Sequence, residues 1–193
     1  MKAATTRRFL AALAAAFILS PLGPTAAVAD DAAVQRGAYI FAAADCTGCH
    51  TDAKNGGKPL AGGRALATPF GTFYGPNITP DPKTGIGDLT EAQFHRALRE
   101  GINEHGRYMY PVFPFTSFTG MTDADISDLW AFLRTEPPVE QRNKRHDLRP
   151  PFGFRFTVVF WRLLFFRPGP LVPDPAHDAE WNRGNYLANA VAH

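Results

Sequence analysis

Apolar residues fall at helical spacing in three stretches of this chain, and long turn-rich segments separate them. Residues 33–45 are rich in alanine and lack a β-branched run, which predicts a first helix. Gly37 lies inside it, where glycine costs stability unless another backbone must come close, so a helix crossing is expected there. Thr90 with Gln93 forms a capping box. Phe94, Ala97 and Leu98 follow on one face, with a stop at Gly101. Thr122 with Asp125 opens a third helix whose Ile126, Leu129, Trp130 and Leu133 keep an i, i+3, i+4, i+7 stripe before Pro137-Pro138 ends it. Between the first two, residues 54–89 are Gly- and Pro-rich. A loop that long inside a compact domain is usually functional.

The N-terminus follows a different grammar. Lys2, Arg7 and Arg8 precede an apolar run from Phe9 to Leu19, and Ala27-Val28-Ala29 gives a small-x-small site before Asp30 and Asp31. These are the parts of a secretory signal peptide cleaved after Ala29, so export to the periplasm is expected. The apolar run is about half of the ~20 residues that span a bilayer, and no later segment is long enough. Removing residues 1–29 leaves 164 of the 193 residues. It also removes three basic side chains, taking the net charge from +2 to −1. A near-neutral surface offers no electrostatic case for nucleic acid.

Cys46 and Cys49 are the only cysteines, and His50 follows the second directly. A thioredoxin-like dithiol would need a preceding strand, whereas Cys46 follows a helix-favouring segment. A structural zinc site needs four ligands, and no second cysteine pair exists to complete one. Cys-x-x-Cys-His in an exported chain reads instead as attachment of one haem c, with the two sulfurs on the vinyl groups and His50 as the proximal iron ligand.

Three helices with Cys-x-x-Cys-His after the first resemble a class I cytochrome c, which implies an all-α fold with long loops around the haem. Tyr74 through Gly87 (YGPNITPDPKTGIG), the helix Phe94–Gly101 and Tyr110-Pro111-Val112-Phe113-Pro114-Phe115 are similar to the multi-haem cytochrome c subunits of periplasmic dehydrogenases. The similarity continues through Arg149–Phe152 and Trp161–Pro170 to Trp181–Tyr186. It implies an electron carrier and not an enzyme. Its partners would be a dehydrogenase catalytic subunit acting on alcohols, aldehydes or molybdenum-hydroxylase substrates and an acceptor in the respiratory chain. It also implies that Gly37 and Tyr39 cross the last helix near Trp130 and Phe132, and that Tyr74 and Asn77 touch the haem edge or propionates. Many relatives place an iron-binding Met where this chain has Phe113. Met109 and Met121 are therefore the candidates for the sixth ligand, with His95 and His105 as imidazole alternatives. An open sixth position would instead suit a haem ligand-binding protein or sensor.

Arg36-Gly37-Ala38-Tyr39-Ile40 recurs as Arg183-Gly184-Asn185-Tyr186-Leu187, the mark of a repeated unit. The expected organisation is a cytochrome c domain over 30–136, a Pro- and aromatic-rich linker or clamp over 137–178, and over 179–193 the opening helix of an incomplete second domain. Such a chain would be a truncated di- or tri-haem subunit or its non-functional remnant. Within the linker, Phe152–Phe166 (FGFRFTVVFWRLLFF) is too short to cross a bilayer. It reads either as a clamp between haem domains, which the resemblance implies, or as an element lying peripherally on a membrane.

Overall fold

The computed structural model describes residues 30–193, so the expected signal peptide lies outside the described residues. Helix α1 (Asp31–Ala43) starts where the Asp30 carboxylate accepts the Ala32 N–H at 3.2 Å. It leads into a short helix, α2 (Cys46–His50). Helix α3 (Glu91–Glu100) carries the full Thr90–Gln93 capping box, and α5 (Asp123–Leu133) is capped by Thr122 accepting from the Asp125 N–H. A single turn, α4 (Phe115–Phe118), precedes α5.

Helices α1 and α5 form the principal crossing. A Cβ at Gly37 would sit 1.9 Å from the Asp128 carbonyl oxygen and 2.8 Å from the Phe132 Cβ, so only glycine lets the two backbones approach this closely. Beside it, Arg36 donates two hydrogen bonds to the buried Asp128 carboxylate, at 2.6 and 2.8 Å. Phe41 meets Phe132 with ring centroids 5.0 Å apart, and Trp130 meets Phe94 of α3 at 5.1 Å. Tyr39 departs from the expectation. It is half exposed and lies 5.7 Å under the Arg183 guanidinium, because the helical period turns position 39 away from the stripe that holds Gly37 and Ile40.

The all-α expectation needs correction. Strands β1 (Ala65–Thr68) and β2 (Gly71–Tyr74) form an antiparallel hairpin with Ala65 opposite Tyr74, and β3 (Asp147–Leu148) pairs with the other side of β2. Strands this short in a Gly-rich run show too little alternation to be read from sequence.

The segments after residue 136 pack onto the same body. Helix α6 (Phe156–Phe165) buries Val158 on one face. Helix α7 (Ala179–Tyr186) and a π-helical turn over Leu187–Val191 place Tyr186, Ala190 and Val191 in one core cluster with Ile40, Met121, Ile126 and Leu129. The Tyr186 hydroxyl donates to Asp125 at 2.5 Å and accepts the Thr122 N–H at 3.0 Å. The helix expected to open a second domain is thereby docked on the described core.

Candidate functional site

The turn from α1 into α2 passes through Asp45, which holds a left-handed conformation at φ 45°. The turn gathers Cys46, Cys49 and His50 within five residues. Two later segments then close on α2. The Gly62 N–H donates to the His50 carbonyl at 2.8 Å, and the Leu60 N–H donates to the Thr51 hydroxyl at 3.0 Å. After β2, Gly75 lies directly on the helix: a Cβ there would stand 1.9 Å from the Cys49 carbonyl oxygen.

This approach places the Pro76 carbonyl 2.8 Å from His50 Nδ1. A carbonyl can only accept, so Nδ1 carries the proton and Nε2 keeps a bare lone pair. Burial pushes the His50 pKa below the usual histidine range, outweighing the Pro76 carbonyl that favours the charged form. A neutral imidazole with one nitrogen pinned and the other bare is the form that ligates a metal.

The two cysteines are free thiols. Burial pushes Cys46 up to about 12, and Cys49 is raised chiefly by burial and then by Asp45, with Arg64 acting against it. Exchange chemistry needs thiolates near neutral pH, so this environment is wrong for a dithiol oxidoreductase.

A haem needs an apolar wall and a counter-charge for its carboxylates, and the chain supplies both. Ile78, Leu89, Ala97, Phe113 and Trp130 gather half-buried against the core, together with Cys46. Arg64 Nε is buried without a hydrogen-bond partner, close enough to act on the charge state of Cys49. An orphaned guanidinium N–H beside the attachment helix fits an anionic group of the cofactor. Arg64 gave no sequence signal of its own.

The other expected site residues divide. Asn77 is 2% exposed, and its side chain is fully spent on protein. Its Nδ2 donates to Thr84 at 3.0 Å and to the Val139 carbonyl at 2.7 Å, while Oδ1 accepts from both the N–H and the hydroxyl of Thr79. It has no capacity left for a propionate, so its part is to hold the loop that carries Pro76. Tyr74 donates its N–H to His146 Nδ1, and Lys144 sits 5.5 Å over its ring. Met121 is fully enclosed, in the same core cluster as Ile126, as a hydrophobic staple predicts. Met109 is half-buried in a loop, its N–H donating to the Gly101 carbonyl at 2.8 Å. His95 is held between α3 and α5, 3.3 Å from the Ser127 hydroxyl and 3.8 Å from Asp123. His105 is exposed beside Glu104.

Residues 139–148, at the start of the expected linker or clamp, form a largely exposed strap over the loop. Asn143 Oδ1 accepts the Asn77 N–H at 2.6 Å, Gln141 donates to the Ala61 carbonyl at 2.8 Å, and Lys144 reaches the Gly63 carbonyl at 3.3 Å.

Comparison with known proteins agrees with this geometry. The family model described as "Cytochrome c" matches residues 34–136. The chain is 48% identical over 162 residues to a nicotinate dehydrogenase subunit of Pseudomonas putida, covering 84% of this chain and 14% of that protein. It is 40% identical over 175 residues to the fructose dehydrogenase cytochrome subunit of Gluconobacter japonicus, covering 90% and 36%. It is 41% identical over 162 residues to a diheme cytochrome c-type protein of Cereibacter sphaeroides, covering 82% and 54%. The chain therefore spans between about a seventh and about half of these relatives. With its attachment helix, its pinned histidine and this match, the chain belongs to the cytochrome c family.

Proposed function

We propose that this chain is a periplasmic electron carrier that holds one haem c, takes electrons from a dehydrogenase catalytic subunit and passes them to a respiratory acceptor. The observation that carries this reading is the His50 imidazole, neutral and pinned at Nδ1 by Pro76 directly after Cys46 and Cys49. When bound, the haem supplies a one-electron Fe(III)/Fe(II) couple. The chain's own residues do the rest. Cys46 and Cys49 hold the ring covalently, His50 ligates through Nε2, and Arg64 offers its unpaired N–H to a carboxylate. Relatives named as dehydrogenase cytochrome subunits support the partner class.

The visible spectrum of protein coexpressed with haem-attachment machinery, reduced and exposed to CO, tests this. A c-type spectrum unmoved by CO is expected. Met109→Ala and Met121→Ala then identify the sixth ligand, since loss of a thioether ligand opens the iron to CO. A prompt CO shift in the unaltered protein would favour the second reading, a ligand-binding haem protein or sensor, for which Phe113, a side chain that cannot bind iron, leaves room. Absence of covalent haem would end both.

A further inference from the structure

Helix α6 is apolar on both of its faces. Inward, Val158 is buried, and Phe166 just past its end is buried against Phe115 with ring centroids 4.9 Å apart. Arg162 is used up on this inner side: it donates to the Glu100 carbonyl and lies 4.3 Å over the Tyr108 ring. Outward, Phe156, Phe160, Leu163, Leu164 and Phe165 stand 58–69% exposed, and Phe154 precedes them at 57%. A helix apolar all round needs something to cover its second side.

The charge around this face says what covers it. Between Leu148 and Pro173 there are four arginines and no acidic residue, although residues 30–193 together carry a net charge of −1. Three of the four are exposed: Arg149, Arg155 and Arg167. Arg155 stands at the helix start with one nitrogen on the Tyr108 carbonyl, and Arg167 follows the end with one nitrogen on the Leu163 and Phe166 carbonyls, so exposed cations with donors to spare flank the protruding aromatic and leucine side chains at both ends. Arg107 adds a fourth exposed cation, sharing a shallow groove with Arg155, Tyr108, Phe156 and Val159. Glu104, the acidic group next along that loop, is paired with His105. A short helix with an apolar outer face, flanking arginines and aromatic rings at its margin has the make-up of an interfacial helix. No described helix is long and apolar enough to cross a membrane.

We propose that the outer face of α6 seats on an anionic lipid surface, with Phe160, Leu163 and Leu164 entering the headgroup boundary and Arg155 and Arg167 pairing with phosphates. The attachment holds the carrier beside a membrane through this helix alone.

Flotation of the haem-loaded chain with vesicles tests this independently of electron transfer. Phosphatidylcholine–phosphatidylglycerol vesicles are expected to carry the protein at low salt, and pure phosphatidylcholine vesicles to carry far less. Because the altered side chains are exposed, Phe160→Ser with Leu164→Ser should leave the haem spectrum intact while weakening vesicle binding at least about tenfold. Arg155→Gln with Arg167→Gln should remove the preference for the anionic vesicles. Failure to float, or flotation unchanged by the Phe160 and Leu164 changes, overturns the proposal. Self-association in light scattering that the same changes abolish would assign the face to a second copy, and loss of binding to a dehydrogenase catalytic subunit without loss of flotation would assign it to that protein; either also overturns the proposal.

Discussion

His50 takes its orientation from a carbonyl 26 residues further along the chain, and the next residue, Asn77, ties that segment down through its N–H on Asn143 and its buried side chain. Replacing Asn77 by Ala removes the buried carboxamide that joins Thr79, Thr84 and Val139, leaving the Thr79 N–H without a partner. The expected cost is about 2–3 kcal/mol in thermal or urea melts, with the reduced haem spectrum unchanged. A propionate role would give the opposite pattern, a changed spectrum in a stable protein. Cys46, Cys49 and His50 are legible in sequence as a group because they lie within five residues. Arg64 and the true work of Asn77 are not, since both depend on neighbours brought in from elsewhere in the chain. Tyr186 gives a test in pH. Burial and its bond to Asp125 push its pKa from about 10 up to about 12. The folded state thus holds this proton more tightly than the unfolded one. The associated stability is complete below pH 10 and is lost as pH rises from 10 through 12. Tyr186→Phe should flatten that alkaline loss in melts recorded across this range.

Among the elements, the crossing of α1 and α5 sets the strictest requirement. Gly37→Ala drives a methyl group into the Asp128 carbonyl and Phe132, and is expected to cost about 3 kcal/mol in a denaturant melt. A lone mid-helix glycine is enough to expect the crossing, and the Thr90 and Thr122 caps and the α5 stripe are visible as local pattern. Tyr39 departs because its expected role comes from similar proteins, against the period of its own helix. The hairpin of β1 and β2 is hidden in the sequence for a different reason. Its strands are four residues long, and β3, which completes the sheet, is contributed by residues 147–148.

At the scale of the molecule, the C-terminal helix belongs to the fold. Tyr186, Ala190 and Val191 are buried with Met121 and Ile126, so deleting residues 179–193 is expected to cost about 4 kcal/mol, read as a lower melting temperature of the haem-loaded protein. A Val191→Ala variant should lose about 1–2 kcal/mol at the same core position without shortening the chain. The sequence repeat at Arg183–Leu187 points to a separate unit here. In the described residues this second copy packs on the first: Arg183 lies beside Tyr39 and Tyr186 binds α5.

The strap over residues 139–148 also bears on how this chain can be reused. A designer who excised the family-matched segment 34–136 as a portable redox cassette would cut away the partners of Asn77, Tyr74 and Ala61. Strand β2, now central between β1 and β3, would become a bare edge open to pairing with other chains. The transplantable unit therefore extends at least through Leu148, well past the last helix of the matched segment.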